Sequence, residues 1–97
     1  MKVLYKEPNL DPEVKEIESG LKSLQELVKG YIECVRVGDF LLIVNEEGKL
    51  KGMMPNLYVE AINDLLCGPI VFVKSEGADI TGLEDDEIEF ILSQMRG

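Results

Sequence analysis

The sequence predicts a small α+β domain: an antiparallel sheet of about five to six strands, a mixed pairing left open, with two helices packed on one face. Three observations carry that expectation. Aromatic, β-branched and other apolar residues gather in short runs at Tyr31–Val37, Phe40–Val44 and Ile70–Lys74, which suit a pleated surface. Two other segments, Ser19–Gly30 and Thr81–Arg96, space their apolar residues three and four apart, as a single helical stripe requires. Glycine, proline and asparagine punctuate the chain between these stretches. A helical layer over one face of an antiparallel sheet is the economical way to combine them.

In chain order, Met1–Glu7 alternates weakly through Val3 and Tyr5 and is expected to form the first strand. Pro8-Asn9-Leu10-Asp11-Pro12 is a turn, because its two prolines break regular structure on both sides. Glu13–Glu18 alternates charge with Val14 and Ile17, the signature of a short strand at a sheet edge. Ser19 is placed to cap a helix with Leu21, Leu24, Leu27 and Val28 on its stripe, and Gly30 to end it in a left-handed cap. Tyr31 to Met53 reads as a three-strand meander, turning at Val37-Gly38-Asp39-Phe40 and again at Asn45–Lys49 before a third strand at Leu50–Met53. Leu57–Leu66 fits a short helix through Tyr58, Ala61, Ile62, Leu65 and Leu66, stopped by Gly68-Pro69. Ile70–Lys74 is a buried strand, and Ser75-Glu76-Gly77 a turn. The last helix opens on Thr81-Gly82-Leu83-Glu84, a capping-box pattern followed by Asp85, Asp86 and Glu87, whose negative charge the helix dipole favours. Ile88, Ile91, Leu92 and Met95 form its stripe, and Arg96 stands at the cation-favouring end.

Ninety-seven residues suffice for a single small domain, 1–97, with one modest core. Neither a membrane-spanning run nor a signal peptide is legible, so a cytoplasmic protein is expected. Cys34 and Cys67 match no zinc or redox spacing, and Cys34, among strand residues, is expected to act as a small hydrophobe. The chain contains no histidine, which removes Ser-His and Cys-His nucleophile pairs and most zinc sites. No cofactor or metal site is expected. A net charge of −9 disfavours direct binding to nucleic acid or to an anionic membrane, where Lys and Arg must neutralise phosphate.

The one dense polar cluster is Asn45-Glu46-Glu47-Gly48-Lys49 with Lys51 and Asn56. Loops on a rigid sheet are where binding groups tend to lie, so Asn45, Glu46, Lys49, Lys51 and Asn56 are the candidate ligand-binding residues. The same residues also make a good hairpin turn, with Gly48 supplying a positive φ. Glu46 and Glu47 would point to opposite faces and cannot pair as catalytic carboxylates. No catalytic residue is assigned, and the protein is expected not to be an enzyme.

The order of residues resembles a known family. M-K-V-L at the start, V-K-E-I-E, L-x-x-L-Q-E-L-V-x-G-Y-I-E and above all N-E-E-G-K-L-K-G-x-x-P-N over Asn45–Asn56 are similar to the Domain of Unknown Function 3846 family. A looser G-P-I-V-F-V and an acidic final helix extend the resemblance over nearly the whole chain. Where the family often has a basic residue after the last asparagine of the motif, this chain has Leu57. The resemblance implies no activity; it implies a phage, mobile-element or gut-bacterial accessory protein, small and not an enzyme.

Two functions are therefore expected. In the first, the polar loop holds a small polar ligand, such as a nucleotide-like immune signal sequestered in counter-defence, with a homodimer completing a shallow pocket. In the second, the acidic surface imitates nucleic acid and blocks a basic host protein.

Overall fold

The computed structural model describes residues 1–96. Eight strands and two helices follow one another as β1 (Lys2–Lys6), β2 (Glu13–Glu16), α1 (Leu21–Val28), β3 (Ile32–Val37), β4 (Phe40–Asn45), β5 (Pro55–Val59), a single 3₁₀ turn (Glu60–Ile62), β6 (Asp64–Cys67), β7 (Ile70–Glu76), β8 (Asp79–Thr81) and α2 (Asp85–Arg96). The main sheet runs β2-β1-β7-β4-β3, and β5 pairs with β6 in a separate two-stranded sheet. Every pairing is antiparallel. The α+β class and the size of the main sheet are as the sequence predicts.

β7, the longest strand, sits at the centre, its first four residues Ile70–Val73 all buried. The first half of one edge pairs with β1, Leu4 opposite Phe72, and the second half with β8, Lys74 opposite Thr81. Its other edge pairs with β4, Leu42 opposite Phe72. Leu83 N–H then bonds the Lys2 carbonyl at 2.7 Å, which joins the lead-in to α2 to the start of β1.

The two helices lie on opposite faces of the main sheet, which corrects the expected packing on one face. On one side Leu24 and Val28 of α1 pack with Val3, Tyr5, Leu41, Ile43, Val71 and Val73. On the other, Ile88 and Ile91 of α2 pack with Leu4, Leu42, Val44, Ile70 and Phe72, joined by Leu66 of β6. Successive residues of a strand point to opposite faces, so an apolar run such as Leu41–Val44 or Ile70–Val73 needs cover on both sides. All eight of those residues are buried.

Four other local expectations are corrected. Ser19 does not cap α1: Gly20 precedes the helix with no side-chain cap bond, and Lys29, not Gly30, takes the left-handed position at φ 66°. Gly30 is needed for its size, since a Cβ there would lie 2.7 Å from Asn45 Nδ2. Residues 46–52 form successive turns and not a third meander strand, with Lys51 N–H bonding Glu47 O at 2.8 Å and Met53 N–H bonding Gly48 O at 2.9 Å. The only apolar residue in that stretch, Leu50, is 87% exposed, so nothing draws it onto a sheet. Leu57–Leu66 is a β-hairpin through the 3₁₀ turn and not a helix, because Asn63 adopts φ 49° and reverses the chain.

The capping box of α2 also moves by one turn. Glu84 N–H bonds Glu87 Oε1 at 2.7 Å, while Thr81 ends β8 with a buried, unpartnered hydroxyl. Glu87 Oε2 pairs with Lys74 Nζ of β7 at 2.7 Å, so one carboxylate both caps the helix and ties it to the central strand. The Lys74 hydrogen bond, helped by the Glu84 N–H, holds the Glu87 carboxyl below its ordinary value. A carboxyl with a depressed folded pKa stabilises the fold above its unfolded value, near 4.5, and loses that contribution as pH falls through the lower folded value. Glu87→Gln is therefore expected to lower the urea midpoint at pH 7 and to match wild type in acid below the folded value.

Candidate functional site

The polar cluster divides into structural ties and a small exposed pair. Asn45, at the end of β4, is only 4% exposed. Its Nδ2 donates to the Val28 carbonyl at 3.0 Å, and its Oδ1 accepts the Glu47 N–H at 2.8 Å. It thereby links the last turn of α1 to the 46–52 loop. Asn56, in β5, is used just as fully: Nδ2 donates to Lys6 O at 2.9 Å and to Gly68 O at 2.8 Å, and Oδ1 accepts from Lys6 Nζ at 2.6 Å. These bonds offset the desolvation of Asn45, which is buried, and of Asn56, which is half-buried.

The remaining candidates point to solvent. Lys49 Nζ pairs with Asp64 Oδ1 of β6 at 2.6 Å. That hydrogen bond raises the lysine above its ordinary value and lowers the aspartate below its own. Lys51 lies 3.6 Å from Glu47 one turn away, and Glu46 has an exposed side chain while its N–H bonds the Tyr31 carbonyl. Asn45, Glu46 and Lys49 border a cavity of about 170 Å³ shared with Glu33, Asp64 and Cys67. Lys51 and Asn56 do not line it. Gly48, in its wall, does not have the positive φ expected of it; a Cβ there would meet the Cys67 carbonyl at 2.8 Å, and the left-handed residue of the loop is Gly52 at φ 68°.

A larger concavity lies elsewhere. On the α2 side of the sheet the β5–β6 hairpin and the C-terminal half of α2 stand apart, leaving a groove of about 710 Å³. Leu42 and Phe72 form its floor, Leu57, Tyr58 and Val59 one wall, Phe90, Ile91 and Met95 the other, and the Val37–Phe40 turn closes one end. Phe90 stacks on Phe40 with ring centroids 6.1 Å apart, yet remains 54% exposed. Tyr58 is 53% exposed on the opposite rim, its hydroxyl hydrogen-bonded to Asn63 Oδ1. Asp39 and Glu60 are the charged lining residues, and no lysine or arginine borders the groove. Sequence reading missed this site. Its hairpin wall reads as a helix, which would have turned Tyr58 inward, and its α2 wall reads as core. The available signal was Phe90, an aromatic residue off the buried stripe of α2.

Small ligand sites are commonly ~300–1,000 Å³, largely apolar and furnished with a few polar groups. By that measure the protein is a small α+β domain with a ligand-sized apolar groove and a polar cleft below that range. It belongs to the family described as a domain of unknown function (DUF3846), whose match covers residues 1–96. No curated protein and no solved structure matches the chain. Among the described residues no helix is long and apolar enough to cross a membrane.

Proposed function

We propose that the protein is a non-enzymatic binding module whose site is the groove between α2 and the β5–β6 hairpin, and whose ligand has an apolar or aromatic body with a neutral or cationic head. The observation that carries this reading is the groove itself: ligand-sized, lined by Phe40, Tyr58 and Phe90, and bordered only by negative charge. A planar ring can stack on Phe90 or Tyr58, whereas a phosphate at the same place would face Asp39 and Glu60. The polar cleft is a poorer host for a nucleotide-like signal, since its one lysine is already paired and three carboxylates, Glu33, Glu46 and Asp64, border it. Sequestration of a signal in counter-defence, a setting that the family resemblance alone suggests, fits this module best if the signal is bound through its base-like part.

The test uses the uncharged fluorescent probe N-phenyl-1-naphthylamine and the anion AMP on the intact protein. The probe is expected to bind, and Phe90→Ala to weaken it by at least about tenfold with little change in melting temperature, since Phe90 is half exposed. AMP binding that is lost on Lys49→Ala, with no probe binding, would move the site to the polar cleft.

A second reading, an acidic surface that occupies a basic host protein, is favoured by the net charge of −9 and by the exposed Glu84, Asp85 and Asp86 at the start of α2. Replacing those three by the amides would weaken such a complex and leave probe binding intact.

A further inference from the structure

The two edges of the main sheet are built differently. β2, at one edge, is four residues long, follows Pro12, and carries Glu13, Lys15 and Glu16, the devices by which edges avoid pairing. β3, at the other, has six residues, Ile-Glu-Cys-Val-Arg-Val, with no proline, lysine or bulge. In a chain of net charge −9 its one acid and one base make it locally neutral. The Tyr31 carbonyl accepts the Glu46 N–H, so Tyr31, Glu33, Val35 and Val37 turn their backbone groups toward β4. Ile32, Cys34 and Arg36 therefore point theirs outward. Among the described residues none of those three makes a backbone hydrogen bond beyond the β3–β4 ladder.

We propose that β3 is the interface of a two-fold homodimer, in which it pairs antiparallel with β3 of a second copy centred on Cys34. Charge selects this register. Opposed residues of an antiparallel pair share a face, so the two-fold axis must pass a residue: Glu33, Cys34, Val35 or Arg36. Centring on Glu33 sets two carboxylates directly opposite, and centring on Arg36 sets two guanidiniums opposite, both destabilising. Of the two neutral choices, Cys34 pairs all three outward residues, Ile32, Cys34 and Arg36, with one another, whereas Val35 would set Ile32 opposite Gly38 in the turn. Centring on Cys34 places Ile32 opposite Arg36 of the second copy, Glu33 opposite Val35, and Tyr31 opposite Val37. Tyr31 is 70% exposed in one chain and gains a β-branched neighbour. Tyr31, Val35 and Val37 lie on the α2 side, and Val37 borders the groove, so the second copy adds Tyr31 to the groove's mouth. The dimer stands independently of the ligand reading, because its test needs no ligand.

Sedimentation equilibrium of the intact protein across the micromolar range is expected to show a dimer, and Cys34→Lys, which sets two ammonium groups opposite, to weaken it by at least about tenfold. In a Cys67→Ser background, mild oxidation is expected to couple Cys34 to Cys34, because opposed Cα atoms of a hydrogen-bonded pair lie about 5.5 Å apart, within disulfide reach. A single thiol moved to the same strand by Ile32→Cys with Cys34→Ser is expected not to couple, being four residues out of register with its copy. A monomer at every concentration, a dimer indifferent to Cys34→Lys, or coupling at 32 in preference to 34 would overturn the proposal.

Discussion

Asn45→Ala is expected to lower the unfolding free energy by about 3 kcal/mol, read as a drop in melting temperature of roughly 15 °C. The change deletes two hydrogen bonds, each worth about 1 kcal/mol net, and leaves the Val28 carbonyl without the partner that Nδ2 supplies. It also frees the 46–52 loop from α1, since among the described residues no other side chain bonds the last turn of that helix to it. Asn56→Ala is expected to follow the same pattern through its bonds to Lys6 and Gly68. Lys49→Ala should hardly move the midpoint, because an exposed ion pair contributes little. Lost ligand binding after either asparagine change would thus report on folding, and only the lysines can test the polar loop as a site. An Asn45→Ala protein as stable as wild type would show that the amide has no structural role.

Ile43→Ala and Phe72→Ala are each expected to cost about 4 kcal/mol by urea denaturation monitored by circular dichroism. The two side chains sit on neighbouring strands but face opposite ways, Ile43 toward α1 and Phe72 toward α2. A sheet covered on one side only would lose that much at one position and little at the other. Both losses should appear because both residues are at least 96% buried. A small effect at Ile43 would mean that α1 does not hold its face of the sheet in solution.

Much of this architecture was legible in the residues, for reasons that differ by element. Both helices were marked by their apolar spacing, β1 by a weak alternation, and β3, β4 and β7 by runs of apolar, β-branched and aromatic residues. The double-sided cover was legible too: L-L-I-V and I-V-F-V run without polar alternation, and a strand open on one face would alternate. I-V-F-V read as a buried strand and L-L-I-V as one suited to a pleated, half-buried surface, without the step to a helix on each side. β8 was not legible, because Asp-Ile-Thr carries one apolar residue and is a strand only through the far half of β7. The β5–β6 hairpin was hidden because Tyr58, Ile62 and Leu65 fall at helical spacing by coincidence, and Asn63, whose left-handed backbone decides the matter, looks like any polar residue. The groove depended on that hairpin. At the polar cluster the residue types were right for binding but equally right for tying a loop down, and Asn45 and Asn56 show the second use.

The central place of β7 also shapes how the chain is made. β1 and β4, its two long neighbours, are finished by residues 6 and 45, yet they do not touch each other in the sheet and must wait for Ile70–Glu76 to lie between them. A chain synthesised only as far as Gly68 holds three separate hairpins, β1–β2, β3–β4 and β5–β6, with no strand to unite the first two into a sheet. Such non-local closure is slow, and the open edges meanwhile are sticky. The main sheet is therefore expected to close only once β7 has been made.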